Sequence, residues 1–105
     1  MNTTKCELKN GVEIGGVIAK SVEMREATTG DMFDAEALAS PDRSMAYRGA
    51  LMACQITKLG DVPGPIDFEV IRRLTPEDFA ILADTQTELE RLGKLESKGS
   101  TAGTT

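Results

Sequence analysis

The sequence predicts an α+β fold: an N-terminal β-hairpin followed by three or four α-helices in one small domain. Three observations carry this. Apolar and polar residues alternate between Lys5 and Met24, with Gly15-Gly16 interrupting the run. Spacing then changes to the helical repeat after Arg25, where helix-start residues begin to recur. The chain has 105 residues, enough for a single modest core.

In the first segment Cys6, Leu8, Val12, Ile14, Ile18, Val22 and Met24 fall at strand spacing, so one face of a hairpin is buried. Gly15-Gly16 suits a two-residue hairpin turn because both positions accept positive φ. Asn10-Gly11 then becomes a bend or bulge within the first strand.

Thr28-Thr29-Gly30-Asp31 offers hydroxyl and carboxylate acceptors to the free N–H groups that open a helix, and predicts a first helix over about 31–39. Ser40-Pro41-Asp42 repeats the signal. It predicts a second helix from Pro41 or Arg43 to about Leu59, with Met45, Met52, Ile56 and Leu59 at helical spacing. Ala46, Gly49, Ala50 and Ala53 form a face of low bulk beside them, onto which another helix can pack closely.

Residues 60–65, with two prolines and two glycines, read as the main loop. Ile66 to Leu74 reads as one or two helical turns. Thr75-Pro76-Glu77-Asp78 is the clearest helix start, with a hydroxyl cap, a proline at the first position and two carboxylates in the first turn. The last helix is expected to reach Leu92 or Leu95. Phe79, Leu82, Leu89 and Leu92 form its stripe, interrupted by Gln86. The folded domain is thus expected over 1–95, and residues 96–105, rich in Gly, Ser, Thr and Ala, as a disordered tail.

Composition narrows the function classes. Hydrophobic residues at 40% and charged residues at 28% describe a folding chain rather than a disordered one. Net charge is −5 and the twelve basic residues are scattered among carboxylates, which disfavours nucleic acid as a partner. The absence of histidine removes the usual base for an activated nucleophile and the usual mixed zinc site. Cys6 and Cys54 lie far apart and read as buried, reduced small apolar residues. No metal or cofactor is expected. Asp31, Asp34, Glu36, Glu77, Asp78, Glu88, Glu90 and Glu96 are explained by helix dipoles and intrahelical ion pairs, without a catalytic site. The glycines lack the helix and Lys-Ser or Lys-Thr of a phosphate loop. No start-of-chain targeting pattern or membrane-length apolar segment is present in the sequence, so the expected location is the cytoplasm.

The order of motifs carries more than any one of them. A strand ending in Arg25 leads into Thr28-Thr29-Gly30-Asp31; an Ala-rich helix runs through Ala50-Leu51-Met52-Ala53-Cys54-Gln55-Ile56; and Leu74-Thr75-Pro76-Glu77-Asp78-Phe79 opens the last helix. In this order and spacing the chain resembles the tail assembly chaperone family of Mu-like and related long-tailed phages, from about Cys6 to Leu92. It departs from the family pattern at Glu26, where a second Arg is frequent, and at Ala27, where Pro is frequent.

The resemblance implies a non-catalytic protein of the infected host's cytoplasm. Such a protein binds the tape-measure protein, gives way to polymerising tail-tube protein, and is absent from the mature virion; many families of this kind also make a longer frameshifted product. The alternatives are a minor tail or baseplate component and a small regulatory binding module. The expected partner-binding residues are Met45, Met52, Phe79, Leu82, Leu89 and Leu92. With only 4% aromatic residues the core is short of large side chains, which predicts a homo-oligomer meeting through the second or last helix.

Overall fold

The computed structural model describes the backbone of residues 1–104 and the side chains of residues 1–95. The disordered tail expected over 96–105 therefore lies outside the fully described residues. The α+β class is as expected: the hairpin β1 (Thr3–Ile14) and β2 (Val17–Arg25) precedes four helices.

Gly15 and Gly16 form the hairpin turn, with φ of 59° and 82°. Ile14 pairs with Val17 across it. Two consecutive positive φ values give the turn a twist that matches the right-handed twist of the strands. The Asn10-Gly11 bulge is also present. Pairing runs from Thr3↔Arg25 to Glu7↔Ser21 and resumes at Val12↔Ala19, so residues 8–11 of β1 face only Lys20 of β2. Gly11 has φ 81°, and a Cβ there would sit 2.7 Å from Ile18 Cγ2 and 2.8 Å from the Ala19 carbonyl oxygen. Only glycine fits that conformation and that approach.

Helix α1 spans Thr29–Leu38 and is opened by a capping box, in which Thr28 accepts from Asp31 N–H and Asp31 accepts from Thr28 N–H. Helix α2 spans Ser44–Gln55. Two expectations for it are corrected. Ser40 does not cap it: the Arg43 N–H donates to the Ser40 carbonyl at 2.9 Å, so Ser40-Pro41-Asp42 makes a turn before the helix. The helix also stops at Gln55 rather than Leu59. Ile56–Leu59 is instead a strand, β3, antiparallel to β2 through Val22↔Leu59 and Met24↔Ile56, and it is followed by a two-residue β4 (Val62–Pro63). The free edge of β2 accounts for the difference. Pairing there satisfies backbone groups and buries Ile56 and Leu59 against the hairpin, which outweighs a helical spacing of two residues. The four-stranded sheet has the order β1-β2-β3-β4.

A short helix α3 (Phe68–Arg72) precedes α4 (Pro76–Thr104). Thr75 caps α4, its hydroxyl accepting the Asp78 N–H at 3.2 Å. The core joins Leu8, Val12, Val22 and Met24 of the hairpin to Met52 of α2, Ile71 of α3, and Leu82 and Leu89 of α4. Gly49 lets α2, α3 and α4 meet: a Cβ there would stand 3.3 Å from Ile71 Cγ2, 3.4 Å from Phe68 Cε1 and 3.5 Å from Phe79 Cε2. No helix among the described residues is long and apolar enough to cross a membrane.

Candidate functional site

The surface that stands out is built on α1 and the start of α2. Helix α1 buries only Asp31 and Ala35. It packs on α2 through Ala35 and is fixed to the sheet by a polar contact. The Arg25 guanidinium at the end of β2 donates to both carboxylate oxygens of Asp31, at 2.6 and 3.0 Å, and to the Cys54 carbonyl at 3.0 Å. The Arg25 hydrogen bonds hold the Asp31 carboxyl below the usual aspartate range, while its burial works in the opposite direction. Ion pairing thus fixes the helix and leaves its apolar side chains uncovered. Met32, Phe33 and Leu38 are 45%, 67% and 55% exposed, and Met45 on α2 is 65% exposed.

Leu38 and Met45 open onto a groove of about 770 Å³ between the α1–α2 corner and the α3–α4 corner. Ala46, Gly49, Phe68 and Phe79 form much of its floor and walls. The only charged residues lining it are Arg43 and Arg72, with no carboxylate, although the chain as a whole carries five more acidic than basic groups. Small residues on α2 produce the concavity, and the half-buried rings of Phe68 and Phe79 make it apolar.

The residues expected to bind a partner divide between core and surface. Met52, Leu82 and Leu89 are fully buried in the chain's own core, so a partner reaches them only by opening the domain. Phe79 and Leu92 are half-buried, and Met45 is exposed. Only Met45 and Phe79 of the six line the groove. Sequence reasoning missed Met32, Phe33, Leu38 and Arg43. A signal existed: Asp31 and Ala35 define the buried face at i, i+4, and the adjacent pair Met32-Phe33 cannot both join it.

Among the described residues the buried polar side chains are all engaged. Gln86, which breaks the α4 stripe, donates to Gln55 Oε1 at 2.8 Å and accepts from Arg48 Nε at 2.9 Å, and Gln55 donates to the Arg25 carbonyl at 3.0 Å. Asp78 is fully buried and accepts backbone N–H groups from Lys9, Asn10 and Gly11 at 2.7 to 3.2 Å, pinning the β1 bulge to α4. Asp31, Asp34 and Cys54 offer ligand atoms within 4.8 Å of one another. A cation there would have to displace Arg25 from Asp31, which makes the trio a poor metal site. Both cysteines are free and only half-buried, a correction to their expected full burial. Desolvation raises both thiols above the ordinary cysteine value.

Comparison with known proteins agrees with the order of motifs. The Mu gp41 family model, described as "Tail assembly protein gp41", matches residues 8–101. The Mu-like prophage FluMu protein gp41 of Haemophilus influenzae is 37% identical over 87 residues, covering 71% of this chain and 68% of that protein. No solved structure shows a significant match. A family match across most of the chain, together with a relative of this identity and coverage, means that the chain belongs to the gp41 family of phage tail assembly proteins.

Proposed function

We propose that the protein is a non-catalytic tail assembly chaperone that binds the phage tape-measure protein in the host cytoplasm and is released as the tail tube forms. The observation that carries this reading is the uncovered apolar surface of α1 and α2, Met32, Phe33, Leu38 and Met45, beside an open apolar groove. A long, helical, apolar client needs such contacts along its length to remain soluble. Methionine and a shallow groove keep each contact weak enough for tube subunits to displace. The non-catalytic part is supported by the engagement of the buried carboxylates Asp31 and Asp78 in holding the fold together.

Co-expression with the tape-measure protein of the same phage tests the proposal. The two are expected to co-purify, and Met45→Glu is expected to release the client while the protein stays folded, since Met45 is exposed. Failure of the wild-type protein to retain the client overturns the reading. Detection of the protein at stoichiometric levels in finished particles would identify a structural tail component instead.

A further inference from the structure

We infer that, in the absence of a client, α1 of one copy seats in the apolar groove of a second copy, so that the protein self-associates head to tail. The chain carries both halves of the contact. The groove is apolar, and its only charged lining residues are Arg43 and Arg72. Helix α1 is its complement: it contains no basic residue, exposes Phe33 most of its large apolar side chains, and carries the exposed Glu36, while Asp34 lies with Asp31 and Cys54. Neither Asp34 nor Glu36 forms a salt bridge among the described residues, and neither does Arg43.

Phe33 supplies the anchor. The other two phenylalanines and Tyr47 are partly buried, whereas Phe33 is 67% exposed on a helix held mainly through the opposite side by Asp31 and Ala35. A rigid ring entering between Phe68 and Phe79, flanked by the Glu36 carboxylate that meets Arg43, has the anatomy of a small interface with a central aromatic anchor and a charged rim; Arg72 is already paired with Glu69 at 2.9 Å. Leu38 at the end of α1 walls the groove, but Phe33 does not line it, so each copy offers one anchor and one groove, and the contact is heterologous. Association also covers an apolar surface that would otherwise face water. The inference stands whether or not the tape-measure protein is the client, since it concerns the free protein; a client would compete for the same side chains.

The test is sedimentation equilibrium of the purified protein across the micromolar range, with two variants at exposed positions and circular dichroism as the check on folding. Wild type is expected to show a mass that rises with concentration and falls with added salt. Phe33→Glu disables the helix and Met45→Glu disables the groove, each weakening self-association by about tenfold or more, as loss of an anchor does. Mixed in equimolar amounts, the two variants are expected to form a heterodimer and stop there, because one intact helix meets one intact groove. A wild type that stays monomeric, variants that associate like wild type, or a mixture that stays monomeric while wild type associates each overturns the inference. The last outcome would identify a symmetric contact through another face.

Discussion

Arg25 and Asp31 determine how α1 sits on the molecule, and their ion pair has a calculable pH signature. The guanidinium lowers the Asp31 carboxyl relative to the usual aspartate value of 3.8. A carboxylate with a depressed folded-state pKa contributes stability that is fully present above its unfolded value and is lost as pH falls through the folded value. Urea unfolding at a series of pH values should therefore show stability declining below the usual aspartate range. Asp31→Asn should be less stable at neutral pH and lose part of that decline. The sequence showed Asp31 as a helix-start residue, and its capping box with Thr28 is present. Its partnership with Arg25 was not legible, because the two meet only once the end of β2 and the start of α1 are folded against Cys54.

At the scale of elements, local chemistry was legible where the partners are neighbours in sequence and lost where they are not. The Gly15-Gly16 turn and the Thr75 cap depend on residues within a few positions of each other. Strand β3 does not: Ile56-Thr57-Lys58-Leu59 continues the helical spacing of α2, and only the waiting edge of β2 turns it into a strand. Asp78 combines both cases. As a first-turn carboxylate it suits the α4 dipole, yet its hydrogen bonds go to a bulge 67 to 69 residues away. This sets up a comparison by urea unfolding. Thr75→Ala should cost about 1 kcal/mol, the usual loss for a helix N-cap. Asp78→Ala should cost about 3 kcal/mol, because three backbone donors lose a charged acceptor together. Equal losses would mean that Asp78 acts only as a helix-end charge.

For the whole molecule, the question is what remains rigid when α1 and the groove exchange partners. A chain of hydrogen bonds from the Arg25 carbonyl through the Gln55, Gln86 and Arg48 side chains links the end of the hairpin, α2 and α4 across the core. Arg48 extends it to the Ala83 carbonyl and Thr87 hydroxyl of α4, both at 2.7 Å. A fully satisfied network of this kind specifies one arrangement of the elements it joins, because shifting any of them strands a buried polar atom. Among the described residues, α1 joins this network through the Asp31–Arg25 ion pair, while it also packs along α2. The network should therefore behave as a unit. Gln55→Met and Gln86→Met each leave the other amide short of a partner and should each cost about 2 kcal/mol. The double variant removes both ends of the 2.8 Å amide pair together, so its cost should fall short of the sum by about 1 kcal/mol. A cycle of unfolding measurements on the four proteins checks this. Strict additivity would mean that Gln55 and Gln86 serve their own backbone partners independently, and that the amide pair does not couple them.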